Sequence, residues 1–100
     1  MIQINGTIRL GRTIDAATQK AIVEMVRASR AEDGCLDYSF ARDIADPDTL
    51  ILFERWRDRA ALEAHGASAH MAAFQEVMAA NPPASRDIRV YETDEGQPLG

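Results

Sequence analysis

Four stretches of this chain alternate apolar and polar residues with a period of two, and the segments between them carry the longer period of a helix. Ile2, Ile4, Ile8 and Leu10 alternate with Gln3, Asn5, Thr7 and Arg9, which predicts a half-buried strand. Gly6 interrupts that strand, where a glycine marks a bulge or a close backbone approach, and Gly11 ends it. Asp15 is placed to cap the helix that follows, with Ala17, Ala21, Ile22, Met25, Val26 and Ser29 along one face. Glu32-Asp33-Gly34 reads as a turn. Cys35 to Arg42 is a second strand, with Leu36, Tyr38, Phe40 and Arg42 on one side. The short connection Asp43 to Asp48 contains Asp46-Pro47-Asp48, which predicts an antiparallel hairpin into a third strand. In that strand Leu50, Leu52, Glu54 and Trp56 alternate with Ile51, Phe53, Arg55 and Arg57. The period then changes. Asp58 caps a short helix that Gly66 stops, and Ser68 caps another with Met71, Phe74, Val77 and Met78 along one face. Asn81-Pro82-Pro83 ends it, because proline cannot continue a helix, and Arg86 to Thr93 is a fourth strand.

The order is βαββαβ with the second helical region broken in two. That is an α+β, ferredoxin-like arrangement: one antiparallel sheet with helices on one face. Residues 1–94 form the domain, and residues 95–100 read as a flexible tail. The second sheet face is left without helices and carries some of Tyr38, Phe40, Phe53 and Trp56, depending on register. An apolar face of that size predicts a homodimer packed sheet against sheet about a twofold axis.

Composition narrows the function. The net charge of −5 argues against a nucleic-acid partner and against a polybasic membrane surface. The single cysteine, Cys35, excludes a disulfide framework and a thiolate metal cage within one chain. No signal peptide and no membrane-spanning run is evident, so a cytoplasmic protein is expected.

The candidate chemistry gathers late in the chain. Both histidines and the only tryptophan lie between Thr49 and Phe74. His65 sits at the helix break, where a ring can reach a cavity between helices and sheet. It is the first candidate for a general base; the competing reading is a helix C-terminal histidine favoured by the dipole. His70, in the first turn of the next helix, is the second candidate, either assisting His65 or hydrogen-bonding the sheet. The pair is not spaced as a helical metal pair, so no metal site is expected. Trp56 is a candidate for stacking on a flat substrate, or else core or interface. Tyr38 and Arg42, on one strand face, are candidates for holding a substrate oxygen, against the simpler reading of Tyr38 as a core tyrosine with its hydroxyl at the rim. Asn5 is a candidate for polarising a substrate oxygen, or else an edge-strand polar residue facing solvent, and Phe74 is most simply helix core, or else the lining of an adaptable apolar pocket. Glu54 shares a face with Trp56 and requires a partner, for which Arg42 or Arg89 is available; it reads as a structural or interface residue. Cys35 reads as a small buried hydrophobe.

Glu32-Asp33-Gly34-Cys35-Leu36, Tyr38, Phe53-Glu54-Arg55-Trp56, Ala61-Leu62, His65, Ser68, His70 and Phe74 together resemble the antibiotic biosynthesis monooxygenase domain. The resemblance is closest to its small stand-alone members described as quinol monooxygenases. It implies a dimeric α/β barrel built from two ferredoxin-like protomers. It also implies oxygenation of a small aromatic substrate, a quinol or phenol, by O2 without metal, flavin or haem. Haem-degrading relatives use an Asn, a Trp and a His; on a hand alignment the Trp position falls on His65 and the His position near Gln75, so haem degradation is not expected. Other relatives of the same barrel are isomerases or lyases. A non-catalytic dimer that binds a small ligand is the alternative from outside enzymology.

Overall fold

The period-two stretches become strands β1 (Ile2–Arg9), β2 (Cys35–Arg42), β3 (Thr49–Trp56) and β4 (Ser85–Glu92). The segments between them become helices α1 (Ala16–Arg30), α2 (Arg59–Gly66) and α3 (Ala69–Ala80), in a computed structural model that describes all 100 residues. The three helices start where the sequence offers an oxygen to an orphan backbone N–H. Thr18 N donates to Asp15 Oδ1 at 2.7 Å, Ala61 N to Asp58 Oδ1 at 2.8 Å and Met71 N to Ser68 Oγ at 3.2 Å. Gly66 does not stop α2 through a left-handed turn. It is the helix's last residue, and the cap is Ala67, whose N–H donates to Glu63 and His65 carbonyls. The next helix's cap, Ser68, redirects the chain instead.

The sheet is antiparallel throughout in the order β2-β3-β1-β4, which is the ferredoxin-like topology. Gly6 makes no bulge: β1 pairs without interruption on both sides, Gly6 lying between Leu52 and Ile88. The irregularity is in β2, between Cys35 and Asp37. Register sorts the side chains into cross-strand rows. One row runs Tyr38, Glu54, Ile4, Val90; the next Phe40, Leu52, Gly6, Ile88; the next Arg42, Leu50, Ile8, Arg86. These rows face the helices. Met25 and Ile22 of α1 pack on them with Ile2, Ile4, Ile8, Leu50 and Leu52, all buried. The opposite face carries Gln3, Asn5, Thr7, Ile51, Phe53, Arg55 and Tyr91. Of the four aromatics expected as candidates for that face, Phe53 alone is there; Tyr38 and Trp56 are buried under the helices, and Phe40 meets Phe74 of α3 at 5.9 Å between ring centroids.

No residue of α3 is fully buried. Met71, Phe74, Val77 and Met78 do share its inner face, but each is only half-covered. The helix stands off the sheet and leaves space beneath it. No helix is long and apolar enough to cross a membrane.

Candidate active site

Three elements converge at the joint between α2 and α3. Ser68 holds that joint from both directions: its Oγ donates to the His65 carbonyl at 2.7 Å while accepting from Met71 N. This brings His65, in the last turn of α2, and His70, in the first turn of α3, to the same side. Opposite them lies Glu32, in the turn between α1 and β2. That turn is fixed by Gly34, at a φ of +85° that favours glycine, whose carbonyl accepts from Arg57 N at 2.8 Å. Arg57 also pairs with Asp33 at 3.2 Å.

His65 Nδ1 lies 3.0 Å from Glu32 Oε1, and His70 Nε2 touches the same oxygen. A carboxylate accepts only, so it selects the His65 tautomer that carries its proton on Nδ1. In the neutral ring Nε2 is then left with its lone pair. That nitrogen is buried and has no hydrogen-bond partner in the protein. The ring itself is 2% exposed, packed against Trp56 at 4.7 Å and Tyr38 at 5.4 Å between centroids.

His65 forms part of the wall of a cavity of about 450 Å³ between α3 and the sheet. Ile4, Ile8, Leu52 and Ile88 form its floor, and Met71, Phe74 and Met78 its roof. The polar groups on it are few: Tyr38, Glu54, His65, Gln75 and Arg86. An apolar space of this size with a handful of convergent polar groups is what small-molecule sites look like.

Glu54 is buried in that wall, and its partner is neither Arg42 nor Arg89. Arg89 is on the other face, paired with Asp87 at 3.1 Å, and Arg42 is exposed at the end of its strand. The partner is Trp56, whose Nε1 donates to Glu54 Oε1 at 2.8 Å. Burial raises the Glu54 carboxyl above its ordinary range; the Trp56 bond and the nearby His65 oppose this, and the Glu32 charge adds to it. Tyr38 is pushed up by burial and then by the Glu54 charge, so its phenol stays protonated and is a hydrogen-bond donor. Cys35 is raised by burial and by Glu32, which makes it a poor nucleophile.

Of the residues singled out in the sequence, the structure therefore brings together His65, His70, Tyr38, Phe74 and Glu54. Trp56 is near them but stands behind His65, 0% exposed and outside the cavity wall, so no face of its ring is open for stacking. Asn5 is on the helix-free face of the sheet, donor-paired from Gln3 Nε2 at 2.9 Å, and does not reach the cavity. Arg42 does not line it either; Arg86, in the same cross-strand row, does. Glu32, Gln75 and Arg86 carry no local sequence signal as site residues. Only the closure of three separate elements places them.

The model of the family described as antibiotic biosynthesis monooxygenase matches residues 1–77, which include every residue of the Glu32, His65 and His70 cluster. The chain belongs to this family. Among relatives in it, "Putative monooxygenase Rv0793" of Mycobacterium tuberculosis is 42% identical over 55 residues, 55% of this chain and 54% of that protein. The uncharacterised protein sll1783 of Synechocystis is 34% identical over 74 residues, 74% of this chain and 50% of that protein. The chain thus spans about half the length of the curated relatives it matches, at 50%, 53% and 54%. The antibiotic biosynthesis monooxygenase fold itself extends over the whole chain. A crystal structure from Deinococcus radiodurans, described as of this family, superposes with a TM-score of 0.83 at 23% identity, covering 100% of this chain and 99% of that one.

Proposed function

We propose that this chain is a monooxygenase that oxidises a small electron-rich aromatic, a quinol or phenol, with O2 and without a bound cofactor. The observation that carries the reading is His65: a buried imidazole, oriented through Nδ1 by Glu32, with Nε2 unpartnered, in the wall of an apolar cavity. A neutral hydroquinone is a poor electron donor to O2, and its anion is a good one. The step for the protein is to remove a hydroxyl proton in a site that excludes water, and a carboxylate-oriented histidine suits it. The electrons balance without an external reductant: hydroquinone and O2 give hydroxyquinone and water. Tyr38, kept protonated, would donate to the oxygen on which charge develops. Met71, Phe74 and Met78 would close over the ring; methionine adapts to irregular shapes.

The active unit in this reading is a homodimer. The helix-free sheet face carries Ile51, 38% exposed, and Tyr91, 46% exposed, beside Phe53, and a second sheet would cover them. Sedimentation equilibrium tests this directly; a monomer at micromolar concentration would remove the dimer from the proposal.

The test of function is dissolved-oxygen uptake by metal-free protein with a panel of hydroquinones, each beside its autoxidation blank. Uptake above the blank is expected, falling at least about a hundredfold in His65→Ala, the usual contribution of a positioned base. Glu32→Gln should lower the rate and change its pH profile while leaving KM nearly unchanged, since it acts through His65. Uptake equal to the blank across the panel would overturn the proposal.

A further inference from the structure

The Glu32, His65 and His70 cluster has a second chemical capacity, independent of oxygenation. Its donor atoms, one from each residue, all lie within 4.8 Å of one another. Two imidazole nitrogens and a carboxylate oxygen around one point make a ligand set for a first-row transition metal. A tetrahedral ion with bonds of about 2.0–2.1 Å holds its ligand atoms about 3.3 Å apart, close to the 3.0 Å already found between His65 Nδ1 and Glu32 Oε1. Small side-chain movements would open the cluster around an ion.

Three further observations point the same way. The helix break, with Ser68 bonded across it, holds both histidines on one side through the protein's own hydrogen bonds, so the ligands are preorganised. Their partner atoms are largely withdrawn from water: the side chains are 2% exposed for His65, 26% for His70 and 16% for Glu32. There is also a way in. Glu32 borders a separate hollow on the outer surface, lined also by Asp33, Arg57, Asp58 and Ser68, in which Arg57 pairs with both aspartates, so Glu32 is the carboxylate left to meet a cation there.

We infer that Glu32, His65 and His70 form a binding site for a divalent transition metal of the Zn2+ class. Imidazole ligands exclude Mg2+ and Ca2+, which want oxygen. Three protein ligands leave a coordination position for water, unlike closed four-ligand structural sites. Occupancy has a consequence for His65. A metal bound at Nδ1 leaves the ring's one proton on Nε2, so the nitrogen that is an acceptor in the empty site becomes a donor. The metal-loaded protein would therefore lack the acceptor nitrogen that the proposed function assigns to His65.

The test uses the untagged full chain, which has no other histidines. Co2+ is titrated in and its visible d–d bands followed; Zn2+ is titrated by calorimetry; the imidazole nitrogens are followed by NMR. The expected result is one equivalent bound, tetrahedral or five-coordinate Co2+ bands, and shifts at His65 Nδ1 and His70 Nε2. His70→Ala, at a partly exposed position, should weaken Zn2+ at least about tenfold, and Glu32→Gln likewise. No saturable binding would overturn the inference, as would binding unchanged in both variants. So would a Co2+ thiolate charge-transfer band, which would place the ion on Cys35. None of these readouts requires turnover, so a protein that binds Zn2+ and consumes no oxygen would retain the site and lose only the oxygenation reading.

Discussion

Replacing Trp56 with phenylalanine isolates the bond that holds a carboxylate inside this protein. Trp56 is 0% exposed and donates its indole N–H to Glu54 at 2.8 Å. Phenylalanine keeps an aromatic ring in the core and removes the donor. A hydrogen bond to a charged group contributes about 1.5–3 kcal/mol. The void left by the smaller ring adds about 1 kcal/mol. The expected loss is about 2.5–4 kcal/mol where Glu54 is ionised, or roughly 10–30 °C in Tm for a domain this size. The pH dependence is diagnostic. Burial raises the Glu54 carboxyl, and the Trp56 bond is the largest opposing influence, so the variant's Glu54 must titrate still higher. A raised carboxyl means that the native state holds the proton more tightly than the unfolded chain. Stability present at low pH is then lost as pH rises through the folded value. The gap between wild type and variant is thus widest in alkali and narrows in acid, once Glu54 is protonated in both. Urea unfolding at about pH 8.5 and about pH 5 measures this. Far-UV circular dichroism is the probe, because the substitution removes the chain's one tryptophan. A loss below about 1 kcal/mol, or one equal at the two pH values, would refute the reasoning.

Three other substitutions follow from the same geometry. Glu54→Gln keeps an acceptor for Trp56 and removes the buried charge; its melting temperature should exceed that of wild type in alkali and converge with it in acid. Gly34→Ala puts a side chain at a φ of +85° with its Cβ 2.6 Å from Ala61 Cβ, so it should cost about 1–3 kcal/mol for the backbone alone in denaturant unfolding. Adding Ala61→Gly should recover the contact but not the backbone share. Ser68→Ala removes a helix cap and the bond to the His65 carbonyl; the expected cost is about 1 kcal/mol, with faster amide exchange at Met71.

Alternation in the sequence made the strands legible, because one buried face leaves a period of two that little else mimics. The caps Asp15, Asp58 and Ser68 were legible for a similarly local reason: each needs only its own oxygen and an N–H three residues on. Asn5 shows the alternation applied too loosely. The period that buries Ile4 turns Asn5 to the opposite face, so its distance from the cavity was already implied. Trp56 was harder, since its face depends on which neighbours it meets across the sheet. Register settles that: Trp56 pairs with Ile2, under the helices. Glu32 was beyond local reading. It becomes a site residue only because the α1–β2 turn, the end of α2 and the start of α3 meet, and no spacing along the chain records that meeting. Nor does the spacing of the two histidines record that they face one carboxylate across a helix break.

The half-covered inner face of α3 makes the stability of this domain a function of what is dissolved around it. Met71, Phe74 and Met78 leave apolar surface that a ligand can cover and the empty domain cannot. A molecule that binds there, and not to the unfolded chain, stabilises by about 2.7 kcal/mol at a hundred times its Kd. That is roughly 10–20 °C on a chain of this length. A melting curve therefore ranks small apolar compounds by fit without any measurement of turnover. In a cell, the empty domain is the form that opens more often to proteases, so the amount of protein present would follow the supply of whatever fills the cavity.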